Sequence, residues 1–425
     1  MIRFYGGKIL TGDCEKGYNI IDGELVTDGS KIIYIGTEPM QNGVYEREVC
    51  LKNKLLIPSF KNAHTHSAMI FVRSLADDLP LQEWLFNRVF PLEDKLNAQY
   101  VYDFTRVAVL EYLTSGITAS FDMYFEPDAN AAANIDMSFR TVLCGAVSGS
   151  RDNAARAEWL YTKFNSLNPL VSATLGFHAE YTASEELIQA IADLSEKYSA
   201  PVFTHNSETR SEVENCIAKY GMTPTKLFCE KGVYNHGGGG YHNVWMSDED
   251  IALFAEKGLY AVTCPASNMK LASGIAPLEK MRAAGVRLAV GTDGAASNNA
   301  LDMFREMYLA TALQKVSLYD PAALPAEYVL GMATKNSALA MGLKDCDELA
   351  VGKQADMVAL DLNMPNMQPI TNPIKNIVYS GSKQNVALTV VAGKILYENG
   401  NFYVGEDPEK IYAKAQRSLE ELLSK

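Results

Sequence analysis

The chain holds only six histidines, and five of them stand where a metal-dependent hydrolase would need them. His64 and His66 form an H-T-H pair just past the apolar run Leu55-Leu56-Ile57-Pro58. His178 stands in G-F-H-A-E-Y-T, His205 in T-H-N-S-E and His242 in Y-H-N-V-W-M-S, while Asp293 follows Leu288-Ala289-Val290 in V-G-T-D-G. Residues i and i+2 at the end of a strand point to the same side, so His64 and His66 can reach one ion. With His205 and Asp293 from later strand ends they give three imidazoles and a carboxylate. That donor set suits one divalent metal ion, Zn²⁺ first, with Fe²⁺, Mn²⁺ and Ni²⁺ as alternatives. A catalytic site of this type keeps a position for water, whose pKa falls to about 7, and Asp293 can accept a proton from that water. Glu208, three residues past His205, is a carboxyl that can carry a proton from water to a ring nitrogen and later to departing ammonia. His242 is a candidate to hydrogen-bond the attacking oxygen or to stabilise charge on the attacked carbon. A lone H-x-H or T-D-G says little, since T-D-G is ordinarily a turn. Their occurrence together, in order, at successive strand ends carries the reading.

Alternating apolar runs and amphipathic stretches must position these residues. Strands are predicted at Leu55–Phe60, Thr118–Phe125, Arg140–Val147, Leu170–Phe177, Val202–Asn206, Leu259–Pro265 and Arg287–Thr292. Helical patterns between them include Ser184–Tyr198 and Ser247–Lys257, the second opening on the capping box Ser247-Asp248-Glu249-Asp250. Near-continuous apolar strands alternating with helices indicate a parallel sheet covered on both faces, and so many units in one block favour a closed (β/α)₈ TIM-like barrel over 55–349. Residues 1–54 and 350–425 have a different texture of short alternating segments and Gly-Lys turns. They read as one small split β-sandwich domain that the barrel interrupts, with Pro408–Lys425 as a solvated outer helix.

Composition narrows the class. The chain is 48% apolar and 21% charged, with a net charge of −13, which is ordinary for a globular protein and wrong for a nucleic-acid binder. No apolar run reaches the length of a membrane span, and the first residues read as a strand, not a leader. Seven scattered cysteines without a C-x-x-C pair argue against a disulfide framework and for a reducing cytoplasm, and Cys264 reads as a small buried hydrophobe. There is no G-x-S-x-G elbow, Walker A loop, dinucleotide fingerprint or H-x-E…P-C-x-x-C deaminase signature.

The segments N-A-H-T-H-S-A-M, L-A-D-D-L-P-L-Q-E-W-L, H-N-S-E-T-R-S-E-V-E, C-P-A-S-N-M-K-L-A-S-G-I-A-P and V-G-T-D-G-A-A-S-N-N-A-L-D-M-F-R-E-M resemble the amidohydrolase superfamily over nearly the whole chain. The nearest group is the methylthioadenosine / S-adenosylhomocysteine deaminases and their chlorohydrolase-like relatives. The resemblance implies a mononuclear metal at His64, His66, His205 and Asp293, with Glu208 as proton shuttle and His242 as second catalytic residue. It also implies a homo-oligomer and a small-molecule substrate contacted by Glu83, Trp84 and His178. Three departures stand out. Four glycines, Gly237–Gly240, precede the His242 motif; they read first as a simple flexible turn, and as the alternative they reshape the pocket wall with His236 joining it. Glu180 stands where relatives often have proline. Arginines for a substrate carboxylate do not align cleanly, leaving Arg151 and Arg156 as candidates and Cys144-Gly145 where one was expected. The leading expectation is hydrolytic deamination of an adenosine-like purine. Guanine, a pterin or a triazine-type chlorohydrolase substrate are alternatives, and a non-catalytic metal-containing binding barrel is a distant one.

Overall fold

A computed structural model describes residues 1–75, 77–79, 81–145 and 154–425. The alternating N-terminal segments form β1 (Ile2–Asp13), β2 (Gly17–Asp28), β3 (Lys31–Gly36), β4 (Arg47–Cys50) and β5 (Lys54–Pro58). The barrel strands follow: β6 (Phe60–Thr65), β7 (Ile117–Tyr124), β8 (Arg140–Gly145), β9 (Val171–Gly176), β10 (Val202–Asn206), β11 (Gly238–His242), β12 (Tyr260–Thr263) and β13 (Arg287–Val290). The C-terminal part adds β14 (Met357–Asp361), β15 (Val386–Val391), β16 (Lys394–Glu398) and β17 (Asn401–Phe402).

Strands β6 to β13 pair in chain order as one eight-stranded parallel sheet. The ring closes where Asp293 N–H donates to His64 C=O at 3.0 Å. Ala63, Phe121, Phe203, Tyr241 and Val262 fill the interior, so the barrel is a packed core and not a pore. The split sheet is also present: β5 lies between β1 and β14, so segments from both ends of the chain share one sheet. Phe4, Ile9, Leu25, Leu56, Met357 and Val390 form its core.

The structure departs from expectation at two strands. The run Leu55–Phe60 is not one barrel strand. Its first part, β5, has both edges used, with Leu55 and Leu56 opposite Lys8 and Ile9 of β1 and also opposite Leu360 and Ala359 of β14. The chain then turns through Ser59, and β6 begins the barrel. The glycine run, in turn, is a strand: β11 is G-G-G-Y-H and fully buried. A Cβ on Gly238 would come within 1.9 Å of Val202 O, and one on Gly239 within 2.1 Å of Tyr260 O. Glycine is therefore what lets this backbone approach both neighbours.

The helices match the sequence pattern closely. Ser184 caps Glu185–Tyr198, and Ser247 with Asp250 forms the capping box of Asp248–Glu256. The tail helix Pro408–Ser424 packs on the barrel's outer helix Ala98–Thr114, where Ser418 Oγ donates to Asp103 at 2.8 Å. At the barrel's N-terminal end Arg140 makes two bonds to Asp356, of 2.9 and 3.1 Å, and the wholly buried Lys61 ammonium lies 3.9 Å from the same carboxylate. All seven cysteines are free, and Cys264 is buried. No helix among the described residues is long and apolar enough to cross a membrane.

Candidate active site

The C-terminal ends of the barrel strands deliver the histidines to one point. His64 is fully buried on β6, and its ring stacks on Tyr241 with centroids 3.8 Å apart. Ring nitrogens of His64 and His66 lie 3.6 and 3.2 Å from Asp293 Oδ1. Donor atoms of His64, His66 and Asp293, and likewise of His64, His205 and His242, lie within 4.8 Å of one another. Other groups fix the rings. His66 Nδ1–H donates to Met123 C=O at 2.5 Å and His205 Nδ1–H to His178 C=O at 2.7 Å, which turns each Nε2 inward. Both nitrogens of His64 are buried without a hydrogen-bond partner. A protein rarely leaves such atoms unmatched, and a metal ion would satisfy one of the two. The donor set of three imidazoles and one carboxylate fits zinc.

Asp293 is held from three sides. Ser267 Oγ and Ser297 Oγ each donate to Oδ2 at 2.6 Å, and Gly294 N–H donates to Oδ1 at 2.8 Å. Its backbone is left-handed, with φ of 59°, a conformation asparagine and aspartate tolerate better than most residues. Burial pushes its carboxyl up, but His66, by hydrogen bond and charge, together with His242 and His64, outweighs this and holds it well below the carboxylate range.

Glu208 lies just before the helix Arg210–Tyr220, whose N-cap is Thr209. Glu212 accepts the N–H groups of Ser207 and Glu208 at 2.8 Å each, which fixes the turn that aims Glu208 inward. Burial raises the Glu208 carboxyl above its ordinary value despite the facing His242. His242 Nε2 lies 3.9 Å from Glu208, and its Nδ1 is bonded to Asn268 Oδ1 at 2.8 Å. Burial alone would lower this imidazole, but Glu208 and Asp293 raise it.

The pocket over this centre is lined by Met69, Trp84, Val89, Phe90, Glu93, Phe125, His178, Tyr181 and Leu271, among others. Trp84 and His178 are thus in the lining, whereas Glu83 is exposed and outside it. Neighbouring helix positions diverge by about 100°, so Trp84 facing inward turns Glu83 out. The polar residue reached instead is Glu93. A π-helical turn, Leu85–Val89, sits between the short helices Leu81–Trp84 and Phe90–Glu93. Its i to i+5 spacing brings Trp84, Val89 and Glu93 to one face, where a plain α-helix would place Trp84 and Glu93 on opposite faces. Glu93 accepts from Tyr124 Oη at 2.8 Å. Nothing in the local pattern announces the π turn, so sequence reasoning missed Glu93.

The remaining candidates stand apart from the pocket. Glu180 is buried but outside the lining, and Arg156 is half-buried and also outside it. Arg151 lies outside the described residues. His236, two residues before the glycine strand begins, is bonded to Glu196 at 2.9 Å and is not in the pocket lining.

A barrel closed by a His–His–His–Asp centre at the strand C-termini, with a buried carboxyl and a fourth imidazole beside it, defines a class. Residues 55–396 match the amidohydrolase family, and the chain belongs to it. The chain is 37% identical over 423 residues to a 5-methylthioadenosine/S-adenosylhomocysteine deaminase from Caldicellulosiruptor saccharolyticus, covering 98% of this chain and 97% of that one. It is 40% identical over 415 residues to a 5'-deoxyadenosine deaminase from Methanothermobacter thermautotrophicus, covering 96% and 95%. Among solved structures, a zinc-bound adenosine deaminase from Xanthomonas campestris superposes with a TM-score of 0.93 at 30% identity, covering 100% and 99%.

Proposed function

We propose that the protein hydrolyses the exocyclic amino group of an adenosine-like purine nucleoside, giving the inosine analogue and ammonia. One observation carries this: two buried carboxyls, Glu208 and Asp293, line the same pocket in different surroundings, Glu208 3.9 Å from His242 and Asp293 3.2 Å from His66 among the clustered imidazoles. Two carboxyls so differently placed divide into an acid and a base. Asp293 is the ionised group that accepts a proton as water adds to the amino-bearing carbon. Glu208 holds its proton and gives it to the adjacent ring nitrogen, which makes the amino-bearing carbon more electrophilic and neutralises the electron pair that moves to this nitrogen as the oxygen adds. His242, oriented by Asn268, hydrogen-bonds the incoming oxygen. His64, His66, His205 and Asp293 would hold a zinc ion, whose Lewis acidity lowers the pKa of water to about 7. Proton return to the departing nitrogen releases ammonia.

Above the centre, Trp84 Nε1–H is buried without a partner and Glu93 is an acceptor in the same wall. They offer a donor and an acceptor to the base and sugar. The apolar rings of Phe90 and Phe125 and the side chain of Leu271 suit a small 5' substituent. The same reading carries a homo-oligomer, checked by light scattering, and a cytoplasmic location, checked by fractionation.

The test is ammonia release by zinc-loaded protein from adenosine, 5'-deoxyadenosine, methylthioadenosine, S-adenosylhomocysteine, guanine and a pterin, with Glu208→Gln as control. Turnover of an adenosine member that the variant lacks is the expected result. Turnover of guanine or pterin alone would overturn the nucleoside reading and keep the chemistry.

A further inference from the structure

Glu306 lies outside the pocket, on the helix Met303–Leu318, and is fully buried. Its Oε2 accepts Ala266 N–H at 3.0 Å, and its Oε1 accepts Asn298 Nδ2–H at 2.8 Å. These two contacts fall on separate short helices, Pro265–Lys270 and Ala295–Asn298. Beside Ala266 come Ser267, bonded to Asp293, and Asn268, bonded to His242. Beside Asn298 comes Ser297, the other hydroxyl on Asp293, and Asn298 itself also donates to Thr292 C=O at 2.6 Å. The Ser267 and Ser297 hydroxyls on the Asp293 carboxylate and the Asn268 amide on His242 thus hang from two segments that one carboxyl ties together.

We infer that Glu306 is a positioning residue that sets the mutual geometry of Asp293 and His242 through these two helices. The chemistry of its contacts supports the assignment. Both neighbours are donors, and the two oxygens of one carboxyl accept from both. A side chain present merely to fill space would be apolar, because a buried carboxylate is costly to desolvate.

The test is Glu306→Gln, which keeps shape but turns an NH₂ toward one of the two donors. Groups behind metal ligands typically contribute about 10- to 100-fold to metal affinity or activity. The expected result is a loss of that order in zinc affinity, read by chelator competition, and in kcat, with KM little changed. In a double-mutant cycle with Ser297→Ala the two losses should be non-additive, because both act on Asp293. If Glu306→Gln does not fold, Asn298→Ala, which removes one contact and keeps the other, takes its place with the same expectations. Unchanged zinc affinity and kcat, simple additivity with Ser297→Ala, or failure of both variants to fold would overturn the assignment. The kcat arm rests on the deaminase reading, whereas the zinc arm does not. A wild type silent on every nucleoside would therefore count against that reading and leave zinc affinity to decide this one.

Discussion

Asp293 and Glu208 are both buried carboxyls at the same barrel mouth, yet one is held ionised and the other is pushed toward its neutral form. Imidazoles crowd Asp293, while Glu208 sits where burial outweighs the one facing histidine. Glu208→Gln should therefore fold, bind zinc and lose kcat by about 10²- to 10⁴-fold, the usual share of a general acid–base group. Steady-state kinetics with metal analysis checks this. Glu93→Gln should act differently, raising KM for nucleosides more than it lowers kcat, as loss of uniform binding does. Metal removal is a third prediction at this scale. His64 has two unmatched buried nitrogens, so stripped protein should melt lower, and zinc at a thousand times its Kd should add about 4 kcal/mol of stability. A thermal shift titration reads this directly. The histidines and Asp293 that gather at the barrel mouth were legible in the sequence because scarce residue types recurred at strand ends. Glu83 shows the limit: a helix turns neighbouring residues about 100° apart, so Trp84 can line the pocket while Glu83 does not.

Elements explain what single residues cannot. The π turn at Leu85–Val89 re-aims a pocket wall, and no composition rule marks it. The glycine strand β11 was equally hidden, since glycines read as a loop until the close approach of Val202 and Tyr260 is known. Gly239→Ala should destabilise by about 1–3 kcal/mol, the typical cost of forced overpacking, seen as a lower denaturation midpoint. The turn carrying Glu208 gives a pH prediction. Burial and the neighbouring Glu208 raise Glu212 from 4.5 to about 7, against three backbone N–H groups that lower it. The folded state then binds more protons than the unfolded state between these values. Stability from this group is complete below 4.5 and is lost as pH rises through about 7. Wild type should lose melting temperature over that window relative to Glu212→Gln.

At the scale of the molecule, alternation of strands and helices was enough to read the barrel, and the matching texture of the two chain ends was enough to read a shared sheet. The point where one gives way to the other was not legible, because Leu55–Ile57 is as apolar as any barrel strand and only its partners β1 and β14 reveal its place. The N-terminal end of the barrel is joined to Asp356 by Arg140 and Lys61. Arg140→Met should cost about 3–5 kcal/mol by leaving a buried carboxylate poorly paired. Since Arg140 begins β8 at the end away from the histidines, kcat per folded molecule should stay the same, as active-site titration against a denaturation curve would show. The sheet that β5 shares with β14 also sets a schedule. Pro58 and Met357 are separated by the entire barrel, so at about 5–20 residues per second a ribosome needs roughly 15–60 s to supply the partner. For that interval a nascent chain carries an apolar strand with one edge open, and the cell must shelter it until the last sixth of the protein arrives.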